Sequence, residues 1–307
     1  MRLVFAGTPD VALPSLDALV ASRHEVVAVV TRPDARRGRG GTLSPSPVAS
    51  RAAELGIPVL KPTRPRDPDF HDRLRELAPD CCPVVAYGAL LPAALLDIPA
   101  QGWINLHFSL LPAYRGAAPV QAAILHGETE TGAVTFRIVE ALDAGPVCGT
   151  LRTPIGPRET AGDLLGRLAV SGAALLTETM DRIEDGTARF VEQPAEGGTY
   201  AAKLEAADAH LDWTAPVDQL DRRIRACTPA PGAWTTLDGQ KFRVHEAVPT
   251  DRPSTSPGTV ERDRHSVHVH TGTGQLELLR VQPAGKRAMA ATDWARGLHA
   301  DAIRFDR

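Results

Sequence analysis

The sequence predicts an α/β protein with a Rossmann-like, doubly wound and mostly parallel sheet, followed by a smaller C-terminal β-barrel of the OB-like type. Short apolar strand patterns alternate with helical patterns in the first part of the chain, whereas Gly, Pro and Asp separate short strand patterns in the last part. A length of 307 residues with 43% hydrophobic content accommodates two domains. We expect the first domain over 1–188, a linker over 189–207 and the barrel over 208–307.

The opening of the chain predicts a βαβ unit. An apolar run ends at Gly7, and Thr8 and Pro9 then provide an N-cap and a first-turn proline for a helix over 11–21. Strands are predicted at 3–7, 26–30, 58–60, 84–87, 103–107, 132–139, 233–236, 240–245, 266–270 and 275–281. Further helices are predicted at 52–55, 70–77, 118–126, 161–183 and 217–226.

The bulk properties exclude several classes of protein. A net charge of -3 means that nucleic-acid binding requires a local basic patch. The four cysteines form no C-x-x-C pair, and the adjacent Cys81 and Cys82 are poorly placed to bridge, so we expect reduced thiols. No apolar run reaches about 18 residues, and the start lacks a signal-peptide pattern. We therefore expect a cytoplasmic monomer without a membrane partner.

Three polar residues are expected at the carboxyl ends of strands. Asn105 and His107 lie two apart on one strand, so they share a face, and Ser109 to Pro112 then break that strand. Asp143 follows the next strand. Because open α/β sheets bind ligands outside the carboxyl ends of their strands, we expect these three side chains in one crevice.

An amide, an imidazole and a carboxylate suit acyl transfer to an amine. Asn105 would donate to the developing oxyanion, His107 would donate to it or shuttle protons, and Asp143 would orient the imidazole and help relay a proton. Each residue also has an ordinary structural interpretation, because Asn and Asp are common in turns and a lone His is usually a hydrogen-bonded structural residue. The residue types alone leave both interpretations open.

The longer motif around these residues resembles the folate-dependent formyltransferase family. It runs from Asn105 to Gly116, continues with Ala118-Pro119, and returns as Leu142-Asp143-Ala144-Gly145. The same segment is similar to glycinamide ribonucleotide formyltransferase and 10-formyltetrahydrofolate dehydrogenase. The motif therefore implies the reaction without fixing the acceptor.

Segments over nearly the whole chain are similar to the branch of that family that formylates methionyl-tRNA. They are Phe5 to Pro9, Arg32 to Val48, Tyr200 to Leu204, Leu211 to Trp213, Ile224 to Ala226, Pro231 to Trp234 and Pro283 to Lys286. This resemblance implies transfer of the formyl group of 10-formyltetrahydrofolate to the α-amino group of initiator methionyl-tRNA, for translation initiation. It implies a catalytic first domain and a barrel that helps to hold tRNA.

The resemblance also implies roles for particular residues. Asn105, His107 and Asp143 are then catalytic, and no metal is implied. The folate would contact two short segments of the chain. These comprise Ser109, Leu110, Leu111 and Pro112 in the loop after one strand, and Ala86, Tyr87, Gly88 and Leu91 after another.

A basic insert over 31–48 is a candidate tRNA contact. Arg36, Arg37 and Arg39 lie on a Gly-rich stretch, and such cations can grip phosphates. The alternative is a solvated surface loop, and the resemblance favours the tRNA contact. The chain departs from the family pattern at two places. Gly41-Thr42 stands where the family usually has lysines, and the bulky Phe108 stands where the family commonly has a small residue. Phe108 either narrows the folate pocket or points into the core.

Three other functions compete with this interpretation. A formyltransferase acting on a nucleotide-sugar amine or a ribonucleotide amine would have less need of the basic insert and the second domain. A dinucleotide-dependent dehydrogenase would need a G-x-G-x-x-G motif after the first strand, and Gly7-Thr8-Pro9-Asp10 does not provide one. A purely RNA-binding protein would not need Asn105, His107 and Asp143 together.

Overall fold

The computed structural model describes residues 1–37, 41–298 and 303–306. It contains two compact units, which draw on different parts of the chain. The first unit comprises 1–119, 130–154 and 165–201, and the second comprises 120–129, 155–164 and 202–307. Within the described part of the chain, no helix is both long enough and apolar enough to cross a membrane.

The elements are numbered in chain order. Those up to residue 126 are β1 Arg2–Gly7, α1 Leu13–Val20, β2 Glu25–Val30, β3 Ala35–Arg37, β4 Thr42–Ser44, α2 Pro47–Glu54, β5 Val59–Leu60, α3 Pro68–Leu77, β6 Cys82–Val85, α4 Ala93–Leu96, β7 Trp103–His107, β8 Arg115–Gly116 and α5 Pro119–His126. Those that follow are β9 Glu130–Arg137, β10 Val147–Pro154, α6 Ala161–Glu184, β11 Tyr200–Ala201, α7 Val217–Ala226, β12 Trp234–Leu237, β13 Gln240–Thr250, β14 Thr259–Arg262, β15 Val267–His270, β16 Gln275–Gln282, β17 Met289–Ala290, α8 Ala291–Arg296 and β18 Ile303–Arg304.

The first unit is built on a seven-stranded sheet in the order β10-β9-β7-β6-β1-β2-β5. Strands β5, β2, β1, β6 and β7 are parallel, whereas β9 runs antiparallel to both of its neighbours. The chain moves outward from β1 through β2 to β5 and then returns to β6 on the other side of β1. This reversal is the switch point at which a doubly wound sheet forms its ligand crevice. The predicted Rossmann-like class is therefore confirmed.

Helices cover both faces of the sheet, which explains the near-continuous apolar character of its central strands. Val4 of β1 packs in one buried cluster with Phe70 and Leu74 of α3. On the other face, α6 covers the antiparallel edge, where a Cβ at Gly172 would lie 2.9 Å from Cδ2 of Leu106. Gly172 thus allows α6 to approach β7 closely.

One local prediction in the first unit is wrong. Thr8 does not cap a helix, because its hydroxyl donates to the Tyr87 carbonyl at 2.8 Å and the chain enters α1 through a 3-10 turn at Asp10–Ala12. The insert, predicted as a basic Gly-rich loop, contains two short strands, since Ala35 pairs with Ser44 and Arg37 with Thr42 in antiparallel register. Its role in binding tRNA stays a prediction. Arg39 lies outside the described residues.

The second unit is a nearly closed antiparallel barrel, as predicted. Its strand order is β12-β13-β16-β15-β14-β18, and β17 pairs with β16. The interior is aromatic. Phe242 is 1% exposed, and its ring centroid lies 4.7 Å from that of Trp294 and 5.0 Å from that of Phe305. The sequence did not predict β14, α8 or β18, which are short and depend on this core for their burial.

We expect Phe242→Ala to lower the free energy of unfolding by about 3–5 kcal/mol, because it removes contacts to two rings and leaves a cavity. Urea denaturation followed by tryptophan fluorescence measures this loss. Leu279→Ala on β16 is a matched control, since Leu279 is 36% exposed and should change stability by only about 0.5 kcal/mol. Equal losses in the two variants would contradict the assignment of Phe242 to the centre of the core.

Candidate active site

The candidate site lies at the carboxyl end of β7, beside the switch point of the sheet. Strand β7 pairs with the parallel β6 on one side and the antiparallel β9 on the other, with Asn105 opposite Val84 and Phe136. These neighbours fix the backbone of β7 along its whole length. The side chains of Asn105 and His107 are therefore presented from a rigid strand.

His107 is held by the turn that follows β7. Its imidazole is buried, and Nε2 lies 2.9 Å from the Tyr114 carbonyl oxygen. Because a carbonyl only accepts hydrogen bonds, Nε2 carries the hydrogen in the neutral tautomer and Nδ1 holds a lone pair. Phe136 packs edge-on against the imidazole, with ring centroids 6.3 Å apart. The orientation of His107 thus comes from Tyr114 and Phe136.

Asp143 faces the other nitrogen of the imidazole. Its Oδ2 lies 3.8 Å from His107 Nδ1, which is too long for a direct hydrogen bond. The same oxygen accepts a hydrogen bond from the Gly116 backbone N–H at 2.7 Å. The carboxylate is therefore positioned by strand β8, and a small gap separates it from the imidazole.

Burial lowers the pKa of His107 below its usual value, because the charged imidazolium loses its hydration. The negative charge of Asp143 and the Tyr114 carbonyl oppose this effect without overcoming it. His107 is therefore neutral at pH 7, and Nδ1 is free to accept a proton. A neutral imidazole beside a carboxylate is suited to proton transfer near neutral pH.

Asn105 remains available for a ligand. Its side chain is half-buried, and no residue that the structure describes forms a hydrogen bond with its amide. The amide has two N–H donors. It can therefore donate to an oxyanion next to the imidazole.

The loop residues predicted to contact folate occupy a tight turn after β7. Ser109 is fully buried, and its hydroxyl donates to the Ala113 carbonyl at 2.7 Å, so it shapes the turn. Leu110, Leu111 and Pro112 are half-buried, and the Leu111–Pro112 peptide bond is cis. Phe108 is 7% exposed and thus points into the core.

The second predicted folate segment follows β6. Ala86 has a left-handed backbone with φ +48 and is exposed, as is Gly88, whereas Leu91 is half-buried. Tyr87 is buried in the same cluster as α3, and burial raises the pKa of its hydroxyl. At this segment a ligand would therefore meet the exposed residues Ala86 and Gly88.

Sequence reasoning missed several residues that organise the site. The Tyr114 N–H donates to Oγ1 of Thr199, and the Arg115 N–H donates to the Thr199 carbonyl, both at 2.8 Å. Gln193 contacts the Asp143 turn directly. Thr199 and Gln193 belong to the stretch predicted as a linker, where neither periodicity nor a motif marked them.

A second group of potential ligands lies elsewhere in the first unit. His24, Asp181 and Glu184 place ligand atoms within 4.8 Å of one another, a composition that could hold a metal. Arg23 already pairs with both carboxylates, with its Nε 2.6 Å from Asp181 and 3.0 Å from Glu184. The group is thus an ion-pair network near the start of β2, at the opposite end of the strands from His107.

Comparison with known proteins identifies the family. A family model described as formyl transferase matches residues 1–180, and one described as formyl transferase, C-terminal domain, matches residues 203–299. Methionyl-tRNA formyltransferase of Streptomyces coelicolor is 62% identical over 299 residues, which cover 97% of this chain and 96% of that protein. This chain belongs to the methionyl-tRNA formyltransferase family. The predicted family is therefore confirmed.

Other members of the methionyl-tRNA formyltransferase family are similarly close. The protein named methionyl-tRNA formyltransferase in Thermobifida fusca is 62% identical over 298 residues, which cover 97% of this chain and 96% of that protein. The one in Mycolicibacterium gilvum is 57% identical over the full length of both chains. Such identity along both units leaves no part of the chain outside the resemblance.

Solved structures of lower identity share the fold. The sugar 3N-formyl transferase WlaRD, determined in the presence of dTDP and 5-N-formyl-THF, has a TM-score of 0.70 at 16% identity and covers 94% of this chain and 99% of its own. HypX from Aquifex aeolicus in complex with tetrahydrofolic acid has a TM-score of 0.65 at 16% identity. It covers 99% of this chain and 50% of its own.

We expect Asp143→Asn to lower the pKa of His107 further, because the charge that favours the imidazolium is lost while the Gly116 N–H keeps an oxygen acceptor. NMR titration of the histidine ring protons measures the shift. The buried His24 provides an internal control, since its titration should not change. An unchanged or raised His107 pKa would show that Asp143 does not act on the imidazole.

Proposed function

We propose that this enzyme transfers the formyl group of 10-formyltetrahydrofolate to the α-amino group of methionine on initiator tRNA. The observation that carries the proposal is 62% identity, along both units, to enzymes named methionyl-tRNA formyltransferase. The Asn105 amide and the His107 imidazole on β7, with the Asp143 carboxylate beside the imidazole, support it, because these groups suit direct transfer to an amine. Folate bound in solved structures of the same fold also supports it.

The site residues divide the reaction between them. The methionine nitrogen attacks the formyl carbon, so a new C–N bond forms and the carbonyl electrons move onto oxygen. Asn105 donates a hydrogen bond to this oxyanion. The proton of the attacking nitrogen passes to Nδ1 of His107, and the charge of Asp143 stabilises the imidazolium. The bond to N10 of the folate then breaks, the carbonyl re-forms, and His107 returns the proton to N10.

We further propose that the folate lies against two segments, Ser109 to Pro112 and Ala86 to Leu91. Within the second segment, the Tyr87 side chain is buried in the core. Both segments follow neighbouring parallel strands, β7 and β6, so they end at the same edge of the sheet. Ala86 and Gly88 expose backbone that a flat ring can approach closely. None of the steps proposed at this edge of the sheet uses a metal.

The proposed tRNA contacts include the insert and the barrel. Arg36 is exposed on the β3–β4 hairpin, and Arg37 and Arg39 are proposed from the sequence resemblance. On the barrel, alternation places Phe242 inside and Lys241 outside, and the Lys241 ammonium lies 4.4 Å from the centre of the Trp234 ring. More exposed cations lie on β16 and the turn after it, namely Arg280, Lys286 and Arg287.

The function is tested by measuring transfer of labelled formyl from 10-formyltetrahydrofolate to methionine-charged initiator tRNA, beside methionine-charged elongator tRNA. We expect transfer to the initiator and little to the elongator. Asn105→Ala should reduce kcat by about 10²- to 10³-fold, because one oxyanion donor is lost. Full activity in this variant would exclude the proposed role of Asn105.

Failure of the wild-type enzyme to formylate either tRNA would reject the proposed acceptor. Folate binding, measured separately by fluorescence or calorimetry, then shows whether the proposed formyl donor can be kept. Retained folate binding would direct attention to small-molecule amines, including those of nucleotide sugars. Absence of folate binding would reject the donor as well.

We expect Arg36→Ala and Lys241→Ala each to raise KM for methionyl-tRNA and to reduce the slope of log affinity against log salt by about 1, as for loss of one phosphate contact. Steady-state kinetics at several salt concentrations measure both effects. Arg73→Ala is the matched control, because Arg73 is exposed on α3 and pairs with Glu76 at 2.7 Å. The same change in slope for Arg73→Ala would indicate a general effect of net charge.

A further inference from the structure

The turn that carries Asp143 has little regular structure of its own. Asp143 adopts a left-handed backbone, with φ +48, which is unfavourable for a residue with a side chain. Within the turn, the Ala144 N–H donates to the Ala141 carbonyl at 3.3 Å. Asp tolerates this conformation better than most residues, and contacts from outside the turn select it over the alternatives. The source of those contacts is therefore relevant to the catalytic geometry.

One side chain supplies several of these contacts. The Gln193 amide nitrogen donates to the Asp143 carbonyl and to the Gly145 carbonyl, both at 2.8 Å. Its amide oxygen accepts a hydrogen bond from Nη2 of Arg115 at 2.7 Å. A primary amide has two N–H donors, and both are used here. Gln193 thus ties the Asp143 turn to the strand whose Gly116 N–H holds the Asp143 carboxylate.

The chain segment that carries Gln193 is fixed on both sides. Before it, Val191 and Val147 exchange two backbone hydrogen bonds of 2.8 Å. After it, β11 pairs with β8, with Tyr200 opposite Arg115. Gln193 therefore reaches the Asp143 turn from a backbone that is anchored to the same unit at two points.

We propose that Gln193 is a positioning residue for the Asp143–His107 pair, acting through its amide hydrogens on the Asp143 turn. It does not touch the imidazole, so its effect on the reaction passes through Asp143. The inference rests on the proposed function for its kinetic consequence. Its structural consequence, the placement of Asp143 beside His107 Nδ1, does not depend on which amine is the acceptor.

Two substitutions separate the contacts that Gln193 makes. Gln193→Met has similar length and no charge, and removes all three hydrogen bonds. Gln193→Glu keeps the shape of the side chain and an oxygen that accepts from Arg115. It removes the amide hydrogens, so a carboxylate oxygen then faces the carbonyl oxygens of Asp143 and Gly145 and repels them. Glu192→Gln, at the exposed neighbouring position, is the matched control.

We expect both Gln193 variants to reduce kcat by about 10- to 100-fold with KM for the folate unchanged, because a small displacement of the relay group has effects of this order. The Glu192→Gln variant should match the wild type. Each Gln193 variant should combine non-additively with Asp143→Asn, since both act on one group. Normal kcat in both variants, or effects that add fully to those of Asp143→Asn, would overturn the proposal.

Activity lost in Gln193→Met and retained in Gln193→Glu would also overturn it, because Arg115 would then be the group that matters. NMR titration of His107 provides a readout without substrate. In Gln193→Met we expect the pKa of His107 to fall, as in Asp143→Asn, and an unchanged pKa would contradict the proposal. Since this titration needs no tRNA, it tests Gln193 even if the wild-type enzyme formylates no tRNA. Thermal unfolding checks that the variants fold. If Gln193→Met does not fold, Gln193→Glu provides the kinetic test.

Discussion

The active-site geometry depends on the two-residue strand β8. Its N–H at Gly116 holds the Asp143 carboxylate, and the carbonyl of the preceding Tyr114 holds the His107 imidazole. Strand β8 in turn depends on β11, which approaches so closely that a Cβ at Gly116 would lie 2.8 Å from the Ala201 carbonyl oxygen. Gly116 also has φ +112, which other residues rarely adopt. One short parallel pairing therefore fixes both groups of the proposed relay.

Burial lowers the pKa of His107 and the charge of Asp143 raises it, and burial has the larger effect. A fully solvated imidazole would be partly protonated near pH 6.5, whereas the interior disfavours the imidazolium. Asp143 reduces this penalty without contacting the ring directly, since 3.8 Å separates its oxygen from Nδ1. This balance suits the proposed proton transfer, in which the imidazole starts neutral and becomes charged during the reaction. A carboxylate in direct contact would favour the charged form at the outset.

The parts of the fold that follow from local sequence were predictable. The continuous apolar run of β1 and the long amphipathic pattern of α6 are visible without tertiary information. The placement of Asn105 and His107 follows from period-two alternation on β7. By contrast, β8 and β11 have two residues each, so they contain no period, and their pairing exists only because the folded chain brings them together.

The same reason explains why Gln193 escaped sequence reasoning. A single amide in a segment without periodicity has no local signature, and its three partners lie about 50 to 80 residues away along the chain. Thr8 illustrates the opposite error. Its position before Pro9 favours an N-cap, but its hydroxyl instead donates to the carbonyl of Tyr87, in the segment that follows β6. Long-range partners decide the use of a polar side chain where the local alternatives are close in energy.

Two groups among the cations of this chain have different physical consequences. Arg115 lies half-buried against Gln193, and Arg225 pairs with the buried Asp221, so these charges are bound inside the protein. Arg36 and Lys241 are exposed, where an intramolecular ion pair would stabilise the fold little. Exposed cations can instead bind the phosphates of a polyanion, and this binding releases the counterions condensed on it. Under the proposed function, a chain with a net charge of -3 binds tRNA through a few solvent-facing cations, while the proposed proton transfer at His107 depends on groups that salt screens weakly.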